Sequence, residues 1–162
     1  MIKAIMACDL NGGLGKGDTM PWPHNKQDMK WFKKNTTDNV IVMGRTTWES
    51  PQFPNPLPNR VNVLVTGRPI KQYPGADIYI SGYLPDALNR LEEQYPDKTI
   101  WVIGGADVFE QTFECFEEIY LTRINDRYDC DTKFDLTKID QWELLKSDTT
   151  DELTIEIRRK PK

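Results

Sequence analysis

Asp28 is the residue of this chain best placed to do chemistry. It is an acid set beside Met29, Trp31 and Phe32 and preceded by Trp22, which points to a carboxylate in an apolar pocket, where a charge requires a partner. A ligand presenting paired, amidine-like N–H donors would supply one. Its position three residues after Asn25 also fits a simpler role, that of a capping residue at a helix start. Gly104 and Gly105 stand between an apolar run and a helix-like stretch. A phosphate can approach such a backbone and meet the unpaired N–H groups of a helix start, and a tight turn with positive φ would use the same residues. Arg45 and Arg68 each follow an apolar run, Val40–Met43 and Val61–Thr66. In a parallel sheet ligands collect at such carboxyl ends, and two arginines there suit a phosphate monoester; taken singly, each reads more readily as a solvated surface cation.

Other chemistries are poorly supplied. A phosphate loop around Gly15-Lys16-Gly17 would need Gly where Leu10 stands and Ser or Thr where Gly17 stands. A GxGxxG fingerprint starting at Gly13 meets Asp18 in place of its third glycine. The three cysteines, Cys8, Cys115 and Cys130, are odd in number and far apart, so they form neither a CxxC pair nor a zinc cluster and are expected to be reduced bystanders. His24 is the one histidine, which leaves a transition-metal site or a His-based nucleophilic triad almost without ligands or base; no metal is expected.

The elements that must position these residues follow from pattern. The chain has 162 residues, 28% of them charged and 38% hydrophobic, values of a globular chain long enough for one domain, here expected to span 1–162. The net charge of −4 offers no footprint for nucleic acid or an anionic membrane. There is no apolar run of bilayer-spanning length and no leader-like start, so a cytoplasmic protein is expected. Ile2–Cys8 is a mostly apolar run that reads as a strand covered on both faces, Val40–Met43 reads as a buried strand, and Arg60–Thr66, Asp77–Ser81 and Thr99–Ile103 read as further strands. Helices are expected over Asn25–Asn35, with Asn25 as N-cap, after Met43, over Pro85–Gln94 and from about Ala106. This alternation argues a mainly parallel sheet with helices on both faces. Residues 9–22 hold four glycines without periodicity and read as a long loop of the binding type; the proline-rich segment Pro51–Pro58 reads as extended loop. Glu118–Ile124, Trp142–Ser147 and Leu153–Arg159 read as further strands, the last two as an antiparallel hairpin around Asp148–Glu152.

The motifs taken together resemble the dihydrofolate reductase family. Its carriers are Met20-Pro-Trp22, Asp28-Met-Lys-Trp-Phe-Lys33, Val42-Met-Gly-Arg-Thr-Thr-Trp-Glu-Ser50, Pro56-Leu-Pro-Asn-Arg60, Val102-Ile-Gly-Gly-Ala-Asp-Val-Phe109, Tyr120-Leu-Thr122 and Asp131-Thr-Lys-Phe134, in the family's order across nearly the whole chain. The resemblance implies an α/β fold, an eight-stranded, mostly parallel mixed sheet with four flanking helices and a C-terminal antiparallel hairpin. It implies reduction of 7,8-dihydrofolate to 5,6,7,8-tetrahydrofolate by hydride transfer from NADPH, in one-carbon and thymidylate metabolism, by an antifolate-binding and monomeric protein.

Residue by residue, the resemblance makes Asp28 the carboxylate that binds the pterin amide and 2-amino edge, Thr122 its hydroxyl partner and Trp22 the holder of an ordered water. Ile5, Ala7, Met29, Phe32, Leu57 and Ile103 become walls of the substrate pocket, and Arg60 the clamp for the glutamate α-carboxylate. For the cofactor it implies Gly44, Arg45, Thr46 and Thr47 at one phosphate turn and Thr66, Gly67 and Arg68 at the turn for the 2′-phosphate. Ala7, Ile103, a cis Gly104–Gly105 with Ala106, Asp107, Val108 and Phe109, and a lid bearing Leu14, Gly15, Thr19 and Met20 complete the cofactor set, with Asp131 tying the lid down. Asp107 departs from the family pattern, a carboxylate that suits a helix start but repels pyrophosphate, and Phe109 and the extra residues in 51–55 depart from it too. A pyrimidine reductase of riboflavin synthesis would share this fold and NADPH, but Asp28 with Trp31, Phe32 and Arg60 favours a pterin; a catalytically idle binding protein would need a disabled site, and none of the named positions looks disabled.

Overall fold

Strands that are apolar on both sides become the middle of a sheet, and here they do. The computed structural model describes residues 1–16, 20–23, 25–50, 56–67 and 72–162; Thr19, His24, Arg68 and the segment 51–55 lie outside the described residues. In chain order the elements are β1 (Ile2–Cys8), β2 (Gly13–Gly15), α1 (Lys26–Thr36), β3 (Val40–Gly44), α2 (Arg45–Trp48), β4 (Val61–Val65), β5 (Ile78–Ile80), α3 (Leu84–Gln94), β6 (Ile100–Gly104), α4 (Ala106–Thr112), β7 (Glu118–Ile124), β8 (Thr132–Lys133), β9 (Glu143–Thr149) and β10 (Leu153–Arg159). The main sheet has eight strands in the order β5-β4-β3-β6-β1-β7-β10-β9. Pairing is parallel from β5 through β7 and antiparallel for β7–β10 and β10–β9. The expected architecture is therefore the observed one.

Alternation along each strand separates two cores. Ile2, Ala4, Met6 and Cys8 of β1 join Val40, Val42, Val102 and Leu121 on one face, covered by Leu84, Leu88 and Leu91 of α3 and by Val108 and Phe109 of α4. Ile5, Ile41, Met43, Trp101 and Ile103 face the other way, where Trp31 and Phe32 of α1 and Trp48 of α2 pack on them. Asn25 caps α1 as anticipated: its side chain accepts a hydrogen bond from the Asp28 amide at 3.0 Å. The helix start is thus satisfied by Asn25, while the Asp28 amide supplies the donor.

The reading of residues 9–22 as loop throughout needs correction. Gly13–Gly15 forms the short strand β2, paired antiparallel with β8 in a separate ribbon. The ribbon was illegible because neither partner carries an apolar period; it is held by main-chain bonds to a segment more than a hundred residues away. Glycine is required on it for space, since a Cβ on Gly13 would lie 2.8 Å from Cys130 Cβ.

Polar anchors lock the antiparallel end. The buried Glu156 carboxylate accepts from Arg123 Nε at 2.8 Å and from Arg158 Nε at 2.7 Å. Glu118, also buried, pairs with Lys3 Nζ at 2.9 Å and with Arg159 at 3.3 Å. Burial pushes both carboxyl groups up, but their cationic partners outweigh it and hold them below the ordinary glutamate value. A folded-state value below the unfolded one means that this stabilisation is complete above the unfolded value and is lost as pH falls through the folded one. Thermal melting between pH 7 and pH 3 should therefore show a Tm that drops below about pH 5. Glu156→Gln should lose about 1 to 3 kcal/mol of stability at pH 7 because two guanidinium groups lose their anion, seen as a lower Tm, and should show a shallower acid slope. An unchanged slope would place the acid sensitivity elsewhere.

Candidate active site

The carboxyl ends of β1, β3 and β6 open into one cleft of about 630 Å³, the size of a small-molecule or cofactor site. It lies where the chain reverses direction across the sheet, β6 having been inserted between β3 and β1. Its two ends differ chemically. One end is walled by Ile5 and Ala7 of β1, Met29 and Phe32 of α1, and Ile103 of β6, with Asp28 among them. The other is made where β3 runs into α2 and β6 into α4, by Gly44, Arg45, Thr46 and Thr47 against Gly104, Gly105, Ala106, Asp107, Val108 and Phe109. Leu14, Gly15, Met20, Asp131 and Thr132 form a third side, from the small ribbon and its flanks.

The glycine end is a cradle that side chains would fill. A Cβ on Gly44 would sit 3.0 Å from Val108 Cγ2 and 3.9 Å from both Gly104 O and Gly105 N. Gly104 has a φ of +128°, a conformation that L side chains rarely adopt, and a Cβ there would meet Thr47 Oγ1 at 3.2 Å. The Gly104–Gly105 peptide is cis, as the resemblance implies. Gly44 and Gly105 are the N-caps of α2 and α4, and neither helix start has a side-chain cap, so first-turn amides border the cleft together with the Thr46 and Thr47 hydroxyls. Exposed Arg45 adds a cation, held to Glu49 at 3.2 Å. Amides, hydroxyls and a guanidinium around a space with no side chain in it are a donor set for phosphate oxygens, and a dinucleotide cofactor fits them. Asp107 is the acid on this rim, exposed at the start of α4.

Several expected residues stand behind the cleft wall. Thr122 on β7 pairs in register with Ala7; it is 1% exposed and its Oγ1 has no hydrogen-bond partner among the described residues. A buried hydroxyl left unpaired beside a cleft is the mark of a group kept for a ligand or a bridging water. Trp22 is buried with Ile124, Leu153 and Ile155, and Ala7 and Met20 pack on that cluster; its ring meets Tyr128 edge-on at 5.9 Å. Leu57 is buried with Ile5 and Ile103, its loop fixed by paired bonds with the Asn62 side chain at 3.0 and 2.9 Å.

Arg60 is set at the rim beyond Phe32, its guanidinium carbon 5.7 Å from that ring. Its Nε donates to Thr36 Oγ1 at 2.9 Å and one terminal nitrogen donates to Pro58 O at 3.1 Å, and burial pushes it down from the usual arginine value. A half-buried cation with neutral partners retains donors for an anion. Thr66 and Gly67 follow β4, next to the lining residue Val65, with Gly67 exposed and open space around it. Asp131 ties the ribbon through its main chain, the N–H donating to Gly15 O at 3.0 Å, while its carboxylate accepts from Thr132 Oγ1.

Pattern reading missed Ser50, buried beside the cleft after α2, and Met6, Val65 and Thr132 on its walls. Ser50 ends the motif beginning at Val42, which was the one signal available. The cysteines take no part: all three are free thiols, and burial pushes Cys8 up to about 12, leaving it protonated at neutral pH. No helix among the described residues is long and apolar enough to cross a membrane.

Known proteins are similar to this chain in sequence and in fold. The family model described as dihydrofolate reductase matches residues 1–157. A dihydrofolate reductase of Bacillus subtilis is 36% identical over 148 residues, covering 91% of this chain and 83% of that protein. One of Haemophilus influenzae is 34% identical over 140 residues, covering 86% and 82%. Among solved structures, dihydrofolate reductase from Enterococcus faecalis complexed with NADP(H) and RAB-propyl matches with a TM-score of 0.81 at 27% identity, over 98% of this chain and 95% of that one. A family model matched almost from end to end, relatives above 30% identity and a shared fold agree, and the chain belongs to the dihydrofolate reductase family.

Proposed function

We propose that the chain acts as one domain spanning 1–162, in which the cleft holds dihydrofolate at its Asp28 end and NADPH at its glycine end. The activity is that of the family, reduction of 7,8-dihydrofolate to 5,6,7,8-tetrahydrofolate. The observation that carries the residue assignment is the position of Asp28, an acid among Met29, Phe32, Ile5 and Ile103 in the same cleft as the phosphate cradle. When bound, NADPH supplies the hydride that C6 of the pterin receives while N5 gains a proton.

The protein's part is to bind, orient and polarise. Asp28 accepts hydrogen bonds from the pterin amide and 2-amino edge, an arrangement charge assistance makes strong in an apolar wall. Its negative charge favours the protonated ring and so raises the basicity of N5, with water as the proton carrier. Thr122 Oγ1 and the Trp22 indole stand behind Ala7 to hold that carboxylate and water in place, and the unpaired state of the Thr122 hydroxyl supports this role. Ile5, Ala7, Met29, Phe32, Leu57 and Ile103 exclude bulk water from the pterin and benzoyl groups. Arg60, already oriented by Thr36, clamps the glutamate α-carboxylate. Gly44 to Thr47 and Gly104 to Phe109 hold the cofactor phosphates and nicotinamide; Leu14, Gly15 and Met20 cover it; Thr66 and Gly67 continue β4 toward the 2′-phosphate. Thr19 and Arg68, assigned to the same set, lie outside the described residues. The protein is further proposed to be a monomer working in the cytoplasm.

The direct test is NADPH oxidation followed with and without dihydrofolate. Asp28→Asn should keep its fold and lose about 10² to 10³ of kcat/KM at pH 7, the loss of about 3 to 4 kcal/mol of transition-state stabilisation. Wild-type turnover in that variant would return Asp28 to a capping role. A 2,4-diaminopyrimidine antifolate at about 1,000 times its Kd should add roughly 4 kcal/mol to unfolding, visible as a raised Tm. That shift should grow with NADPH present and shrink in Asp28→Asn; no shift in the saturated wild type would favour a pyrimidine-reductase substrate instead.

A further inference from the structure

Asp9 is an ion that the proposed chemistry does not use. It follows β1 directly, is 1% exposed, and forms no ion pair among the described residues. Its carboxylate is satisfied by main-chain amides. Oδ1 accepts from the Asn11 and Gly13 amides, both at 2.8 Å. Oδ2 accepts from the Tyr128 amide at 2.9 Å and lies 3.8 Å from Cys130 Sγ. Its main chain closes the same loop, with the Asp9 amide donating to Gly13 O at 3.0 Å and Gly12 donating to Asp9 O at 3.1 Å. Burial pushes the carboxyl up, and the amides of Tyr128, Gly13 and Asn11 outweigh it and hold it below the ordinary aspartate value.

The two oxygens thus serve two segments that meet nowhere near each other in sequence. Oδ1 holds the entry into β2, and Oδ2 holds the run from Tyr128 that leads into β8. Those segments carry Leu14 and Gly15, and Asp131 and Thr132, which together form the third side of the cleft. They are joined again above Asp9, by Asp131 N to Gly15 O at 3.0 Å, Phe134 N to Gly12 O at 2.8 Å and a Lys16–Asp129 ion pair. Leu10 N bonds Asp126 O at 3.0 Å on the near side. A surface ion pair such as Lys16–Asp129 holds weakly, whereas a buried carboxylate with three amide donors cannot lose one without leaving charge unsatisfied.

We infer that Asp9 is a positioning residue for the reaction: its buried carboxylate fixes the β2–β8 wall against the end of β1, and so sets the shape of the cofactor end of the cleft. The inference rests on the cofactor reading above. Ala7 on β1 and Leu14 on β2 line the same cleft, and Asp9 is the link that sets the distance between their strands. The substrate end, built by Asp28, Met29 and Phe32 of α1 with Ile5 and Ile103, meets this link at its edge, through Ala7 and the Trp22–Tyr128 contact.

Asp9→Asn supplies the test, because the amide side chain keeps the volume but turns one acceptor into a donor facing N–H groups. In the folded variant, measured well below its Tm, the Kd and KM for NADPH should rise and kcat should fall, each on the order of tenfold. The Kd of a diaminopyrimidine antifolate without NADPH should stay within about twofold of wild type. A residue that only stabilised the fold would lower Tm and leave both affinities of the folded protein alone; that result overturns the inference. Loss of antifolate and NADPH binding in equal measure overturns it too, since the effect would then not be confined to one wall. Should Asp9→Asn fail to fold, hydrogen exchange in the wild type decides: NADPH should slow the Gly13 and Tyr128 amides together, by about tenfold or more. Protection of Gly13 without Tyr128 overturns the link. A wild type that does not bind NADPH at all would overturn the cofactor reading itself, and is distinguished by being seen before any substitution.

Discussion

A parallel sheet covered on both faces exposes its irregular backbone at the ends of its strands, and the cleft of this protein is built from that constraint. β3, β6 and β1 are adjacent, parallel and apolar on both sides, so nothing can bind along their length. Their carboxyl ends diverge into α2, into α4 and into the β2 ribbon. The divergence opens the cleft, and the crossovers that place helices on the faces keep the space above the strand ends clear. Glycine at Gly44 and Gly104 completes it, because a Cβ at either place would close the gap between β3 and β6 that α2 and α4 frame.

The cleft's chemistry follows from which elements reach each end. α1 lies on the sheet face and brings Asp28 with Met29 and Phe32, so that end is apolar around one acid. At the other end two helices begin, and short helices begin with amides, hydroxyls and little apolar surface. In the proposed reading a flat ring with a donor edge and a cofactor with phosphates meet in one cleft, with Ala7 and Ile103 common to their walls. Asp107 is the exception, an acid at the cradle's rim. It suits the start of α4 and opposes an anionic ligand, and its exposure leaves the opposition screened by solvent.

The third side has a different origin. The β2–β8 ribbon is too small to have a core of its own and contains glycine at both ends of β2. What it lacks in burial it replaces with hydrogen bonds to its main chain, among them the three amides that donate to the Asp9 carboxylate. One surface ion pair, Lys16–Asp129, and one buried anion reach this wall, and solvent screens the first far more than the second.

How much of this was legible in the residues depends on distance along the chain. Val40–Met43, Thr99–Ile103 and Leu153–Arg159 announced strands, and Asn25 and Pro85 announced helix starts, because burial on both faces and capping are local demands that leave local patterns. The motifs from Met20 to Phe134 pointed to the family, and Asp28 stood out by its apolar neighbours. The β2–β8 ribbon, the burial of Ser50, the orientation of Arg60 by Thr36 and the attachment of Asp9 to Tyr128 had no such pattern. Each is a contact between segments with no apolar period, made when the sheet brings them together; Asp9 and Tyr128 are 119 residues apart. Composition and periodicity determine which faces a segment must bury, and so the layers of the fold. Which polar atoms then satisfy one another is decided by the tertiary structure, because a buried charge finds its donors among whatever amides the folded chain presents.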